Sequence, residues 1–166
     1  MSPELDRQLC ERYPHIFQHR RGNPRETAMC WGFEHGDGWF TLLDTLCALL
    51  YAPYRQAVEA YEYARKYEGQ APWKGAEVVT AVDVERKRLA MRDAAEAVPR
   101  ALQVKEKFGL LRFYVYGGND RTYDYIEFAE AMSGRICEEC GAPGVLRGGG
   151  WLRTLCDGHA GDREAA

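Results

Sequence analysis

Four residues near the C-terminal end have the types and spacing of a zinc site: Cys137 and Cys140, then Cys156 and His159. Each pair encloses two residues, and fifteen positions separate the pairs. Zinc favours thiolate and imidazole in a tetrahedron, and a C-x2-C turn aims both sulfurs at one ion. The interval and the second pair match structural zinc sites, with His in place of a final Cys. Gly141 suits the bend after the first pair, because a residue without Cβ takes positive φ cheaply. The competing reading is one disulfide plus unrelated thiols, but four ligand-type residues at paired spacing rarely coincide. Four protein ligands leave the ion no open position, so a single Zn2+ is expected in a structural role.

Between the pairs, Val145 to Arg153 reads as two short strands closed by the turn Gly148-Gly149-Gly150. Knuckle, hairpin and second pair in that order resemble a treble-clef zinc finger. The resemblance implies that the second pair stands where a short helix begins.

The elements that must position this finger follow from the rest of the 166 residues. The length suits one compact domain with a small appendage. The expected class is α+β: a small helical and β-hairpin domain over residues 1–134, with the finger at 135–161 packed on it. The tail at 162–166 is polar and expected to fray. Hydrophobic content of 46% and twenty aromatic residues are ample for a core. A net charge of −3 gives no wholesale attraction to nucleic acid or anionic membrane. No apolar run approaches the ~20 residues of a membrane helix. The N-terminus has no apolar signal region, so cytoplasmic residence is expected, in a bacterium or an infected host cell. Six cysteines in such a chain read as metal ligands and buried thiols.

Residues 4–13 read as a short helix ended near Pro14. The stretch to Gly38 is irregular and basic, and holds His15, His19 and His35 beside Cys10 and Cys30. A second metal site there is conceivable, although the spacings fit no ligand template. Asp37 is expected to cap a helix whose buried face is Trp39, Leu42, Leu43, Leu46, Cys47 and Leu50. A catalytic Asp37 is the weaker reading, because no motif places a second carboxylate or a His beside it. Pro53 should interrupt that helix, after which Tyr54, Val58, Tyr61 and Ala64 or Arg65 continue at helical spacing, with tyrosines crowding the stretch to residue 67. Alternation over Val78 to Val84 predicts a strand, and residues 85–97 an exposed, possible insertion helix. Leu102 to Glu106 and Leu110 to Tyr116 predict a hairpin or adjacent strands around Lys107-Phe108-Gly109. Asn119 or Asp120 caps a last helix with Tyr125, Ile126, Ala129 and Met132 inward.

Three stretches resemble a family of small proteins of bacteriophages and proteobacteria. They are Glu34-His35-Gly36-Asp37-Gly38-Trp39-Phe40, Val104-Lys105-Glu106-Lys107-Phe108-Gly109-Leu110-Leu111-Arg112-Phe113-Tyr114, and the finger with its Gly-Gly-Gly-Trp. In that family Cys often stands at the place of His35, and a second Gly at the place of Leu110. The resemblance implies a phage or prophage context and carries no established activity. Many phage proteins of this size inhibit or redirect a host protein, immunity enzymes included.

No phosphate loop, nucleophile elbow, H-E-x-x-H or H-x-E deaminase pairing occurs, so no catalytic residue is assigned and no small-molecule substrate is evident. The leading expectation is a non-catalytic zinc protein that binds a host or phage protein. The alternative is nucleic-acid binding through residues 100–121, where Lys105, Lys107, Phe108 and Arg112 are the candidate contacts. Phe113 and Tyr114 lie among the same charges, and aromatic rings interleaved with cations can stack on bases.

Overall fold

The computed structural model describes residues 1–166, and the fold is mixed α and β. The chain divides into two units, Met1–Leu50 with Pro99–Ala166, and Tyr51–Val98. No helix is long and apolar enough to cross a membrane.

The first unit opens with helix α1 (Pro3–Arg12), followed by turns and a 3-10 turn at Ala28–Trp31. Strand β1 (Phe33–Glu34) leads into a second 3-10 turn at Asp37–Trp39, and helix α2 (Phe40–Lys66) begins directly after it. Asp37 is therefore inside the turn and not before it. The cap position is Gly36, which makes no side-chain cap bond, and the Asp37 carboxylate accepts instead from the Ser2 N–H at 2.5 Å. The expected cap is corrected: an intervening 3-10 turn moves the helix start three residues on, out of reach of the Asp37 side chain.

Strands β2 (Arg100–Lys107) and β3 (Leu110–Tyr116) form an antiparallel hairpin, and β1 pairs parallel to β2. The two-residue turn is Phe108-Gly109, both at positive φ (56° and 77°). A primed turn requires positive φ at both positions and normally takes Asn or Gly first. An aromatic residue there costs on the order of 1 kcal/mol, from the clash of its Cβ with the following carbonyl. Helix α4 (Asp120–Ser133) starts in a capping box, with Asn119 accepting from the Thr122 N–H and the Thr122 side chain accepting from Asn119 N–H. It runs along the open edge of β3: Glu130 Oε1 accepts from Phe113 N–H and Ser133 Oγ from Leu111 N–H. Its buried residues are Thr122, Ile126, Ala129 and Ser133, so Tyr125 and Met132 are only half-buried. Leu9, Ile16, Met29, Trp39, Leu43, Leu46, Val104, Leu111 and Phe113 form the core of this unit.

The second unit contains residues 51–66 of α2 and helix α3 (Ala81–Glu96). Helix α2 continues through Pro53, contrary to the expected interruption. Proline forfeits one backbone bond and crowds the preceding turn. Burial of Leu43, Leu46, Cys47 and Leu50 before it, and ring packing of Tyr51 on Tyr54 across it, hold the helix together. The strand expected at 78–84 is absent. Val79 makes one bridge to Glu68, and Thr80 caps α3, accepting from Asp83 N–H while Asp83 accepts from Thr80 N–H. The valine alternation there reflects no sheet, because Val78 and Val82 are exposed. Helix α3 has no buried residue.

The finger comprises β4 (Val145–Arg147), β5 (Arg153–Leu155) and helix α5 (Asp157–Ala160), with Cys156 at the α5 N-cap. The tail is bonded to the finger. Gly148 N–H donates to Glu164 O at 3.0 Å and Ala166 N–H to Leu146 O at 2.9 Å. The free edge of β4 offers unpaired backbone groups that the tail satisfies. Arg163 adds bonds to the carbonyls of Gly149 at 3.1 Å and Trp151 at 2.6 Å, closing the glycine loop.

Candidate metal centre

The knuckle turn is set by Gly141 N–H donating to Cys137 O at 2.8 Å and Cys137 N–H donating to Ala142 O at 2.7 Å. Gly141 takes φ 78°, the left-handed conformation the turn needs. The hairpin returns the chain so that Cys156 and the first turn of α5 face the knuckle. The ligand atoms of Cys137, Cys140, Cys156 and His159 then lie within 4.8 Å of one another. Cys140 Sγ is 3.7 Å from Cys156 Sγ, and His159 Nδ1 is 3.2 Å from Cys156 Sγ and 3.6 Å from Cys137 Sγ. A tetrahedron with zinc–sulfur bonds of about 2.3 Å has edges of about 3.8 Å, so this donor set fits one such ion.

Electrostatics agree with the geometry. Burial raises the Cys137 thiol, but the amides of Cys156, Cys140 and Glu139 and the Cys140 thiol outweigh it and bring its pKa down to about 6. Backbone N–H groups pointed at a sulfur stabilise the thiolate, the form a metal binds. The Cys140 thiol is raised: the Ala142 amide lowers it, but burial and the Cys137 and Cys156 sulfurs prevail. Crowded thiols that resist joint ionisation are what a divalent cation relieves.

The surrounding contacts explain all three sequence stretches. Gly38 N–H donates to Glu138 O at 2.7 Å, and Gly36 N–H to Glu138 Oε1 at 3.0 Å. A Cβ on Gly38 would overlap the Cys137 carbonyl and lie 2.5 Å from Gly141 N and 2.7 Å from Cys140 N. Trp39 Nε1 donates to Ile136 O at 2.9 Å. The Glu34–Phe40 stretch is therefore the seat of the knuckle. The Phe108-Gly109 turn docks on the other side. Thr154 Oγ1 donates to Gly109 O at 2.6 Å, and Trp151 Nε1 to Glu106 Oε2 at 2.9 Å. A Cβ on Gly109 would overlap the Leu146 side chain. Glu138, buried, takes Arg153 Nε at 3.1 Å on its other oxygen.

Glu138, Arg153, Thr154, Glu106 and Trp151 escape sequence reasoning, because nothing in their spacing shows which chain segment they meet. The five residues considered for a second metal site form no such group. Cys10 Sγ donates to Asp6 Oδ1 at 3.4 Å, Cys30 Sγ to Thr27 O at 3.2 Å, and His35 Nδ1 pairs with Gly36 O at 2.7 Å. Among the nucleic-acid candidates, Lys105, Lys107 and Phe108 share one end of the hairpin, while Arg112 is held by Glu130 at 3.1 Å. Phe113 is buried at 3% exposure and cannot stack on a base. Comparison with family models, with curated proteins and with solved structures returns no match.

Proposed function

We propose that this chain is a non-catalytic zinc protein that acts by binding another macromolecule. One observation carries the reading: four protein ligand atoms gather within 4.8 Å, enough to fill a tetrahedral zinc. An ion so enclosed has no position for water or substrate, and its work is to hold the finger against the Glu34–Phe40 stretch and the hairpin turn. The resemblance to phage and proteobacterial proteins adds a setting in which the partner is a host or phage protein, a host immunity protein included.

Three measurements test this. Elemental analysis of protein purified without chelator should give about one zinc per chain, from the ligand count. The cobalt-substituted protein should show tetrahedral bands that do not move when azide or cyanide is added. Bands that shift would reveal an open coordination position and return the site to catalysis. A lysate pull-down with and without nuclease then sorts protein partners, retained after digestion, from nucleic acid.

A further inference from the structure

The outer face of the β2–β3 hairpin carries a pattern that the metal centre does not use. Strand alternation puts Gln103, Lys105 and Lys107 opposite the buried Val104, and register sets Tyr114 beside Gln103 and Arg112 beside Lys105. The bulge between Ala101 and Gln103 returns Arg100 to this same face, beside Tyr116. Three cations lie over aromatic rings: Arg100 over Tyr116 at 5.9 Å, Lys105 over Tyr114 at 5.8 Å, and Lys107 over Phe108 at 5.4 Å. The rings are open to solvent, at 66%, 42% and 65% exposure for Tyr116, Tyr114 and Phe108.

The charges lie on the same face as the rings. Arg100, Lys105 and Lys107 make no ion pair, whereas Arg112, beside them, is held by Glu130. The hairpin holds four cations and one carboxylate in a chain whose net charge is −3. That carboxylate, Glu106, is turned into the finger by Gly109 N–H and Trp151 Nε1. Phe108 adds an independent argument. It occupies a left-handed turn position that Asn or Gly would fill with less strain, yet its ring is 65% exposed and lies beside the Lys107 ammonium.

We propose that this face binds single-stranded nucleic acid, with bases stacked on Tyr116, Tyr114 and Phe108 and phosphates on Arg100, Lys105 and Lys107. Tyr114 and Tyr116 are two strand positions apart, about 7 Å, which leaves each ring free for its own base. Exposed rings among unpaired cations are the composition of a single-strand platform, where stacking is tolerant of sequence and cations follow the backbone. An acidic peptide would satisfy the cations but leave three π-faces unused. The proposal rests on the reading of the chain as a binding protein, and gives its hairpin face a nucleic-acid ligand in addition to the protein partner proposed above.

The test uses the full zinc-loaded chain and fluorescently labelled single-stranded dT and rU oligonucleotides of about 12 nucleotides, near the site sizes of such platforms. Binding is expected at low salt, with Tyr114→Ala and Tyr116→Ala each weakening it roughly 5- to 150-fold. The double change Lys105→Gln/Lys107→Gln should lower the slope of log affinity against log salt by about 1.4. Phe108→Asn should weaken binding while leaving the melting temperature equal or higher. No binding at low salt, affinity unchanged in the tyrosine variants, or equal competition by polyglutamate would each overturn the proposal. Zinc content, measured on every sample, keeps the two readings apart: the substituted residues are not ligands, so their contrasts report on the hairpin whatever the metal result.

Discussion

At the scale of single residues, the decisive ones are small or buried. Gly38 has no room for a methyl group, because the Cys137 carbonyl and the amides of Gly141 and Cys140 occupy the space. Gly38→Ala should cost about 2–3 kcal/mol by overpacking against backbone that cannot move. It should also weaken zinc retention against a chelator, whereas Gly148→Ala, with open space around it, should do neither. Equal zinc retention in both variants would sink the account of the Glu34–Phe40 stretch as the knuckle's seat. His35 supplies a pH dependence. It is 7% exposed, its Nε2 has no partner, and burial pushes its pKa down to about 4. Well above pH 6.5 the imidazole is neutral folded or unfolded and contributes no slope. As pH falls from 6.5 to 4 the unfolded chain takes up a proton that the folded chain refuses, so stability falls by on the order of 3 kcal/mol. His35→Cys should abolish this component, read as the difference between urea midpoints of the two proteins across that pH window. Superimposable pH profiles would refute it. Asp37→Asn should cost little, since an amide oxygen still accepts from Ser2 N–H.

At the scale of elements, local signals and tertiary demands disagree in two places. Residues 78–84 alternate like a strand, yet Thr80 and Asp83 form a reciprocal cap and the chain becomes helix α3. Alternation implies a strand only where one face finds a sheet to cover, and here Val78 and Val82 face solvent. Thr80→Ala should cost about 1 kcal/mol in local helix stability. Because α3 buries no residue, the loss should appear as faster amide exchange in the first turn of α3, with zinc content unchanged. A global fall in melting temperature with the cap removed would contradict this picture. The Pro53 case is the reverse: propensity says stop, and burial on the preceding turns carries the helix through. In the β2–β3 hairpin the two agree from Gln103 to Lys107, where alternation, Gly109 and length point to one register, and part company only at the Ala101–Gln103 bulge and at Phe108.

At the scale of the whole molecule, the Cys137, Cys140, Cys156 and His159 cluster is tied into the first unit. The knuckle carries Glu138 O to Gly38, Ile136 O to Trp39 Nε1, and, through β5, Thr154 to Gly109. On the proposed zinc reading, removing the ion should leave crowded thiols and loosen these bonds. Chelation, or Cys140→Ser, should therefore expose the C-terminal segment to protease and alter the environment of Trp39 and Trp151. Helices α2 and α3 should keep their far-ultraviolet helical signal, because their backbone bonds lie within each helix. Complete loss of helix on chelation would mean that the ion holds up more of the chain than the finger.

The metal centre was legible in the linear order of residues, because a knuckle is a local device: two ligands three positions apart on one turn specify their own geometry. The helix core face, the hairpin and the Asn119 cap were legible for the same reason, being fixed by spacing within one segment. Local reading failed where the partner is distant in sequence. Asp37 looked like a cap until Ser2 took its carboxylate, and the tail looked loose until β4 offered it an edge. Phe113 and Tyr114 are neighbours of equal apparent promise, and only the side of the sheet that is buried separates core from surface. The tertiary structure alone decided that Gly36, Gly38 and Gly109, from two remote stretches, are glycines because one finger lies against both, where a Cβ would meet backbone or the half-buried Leu146 side chain.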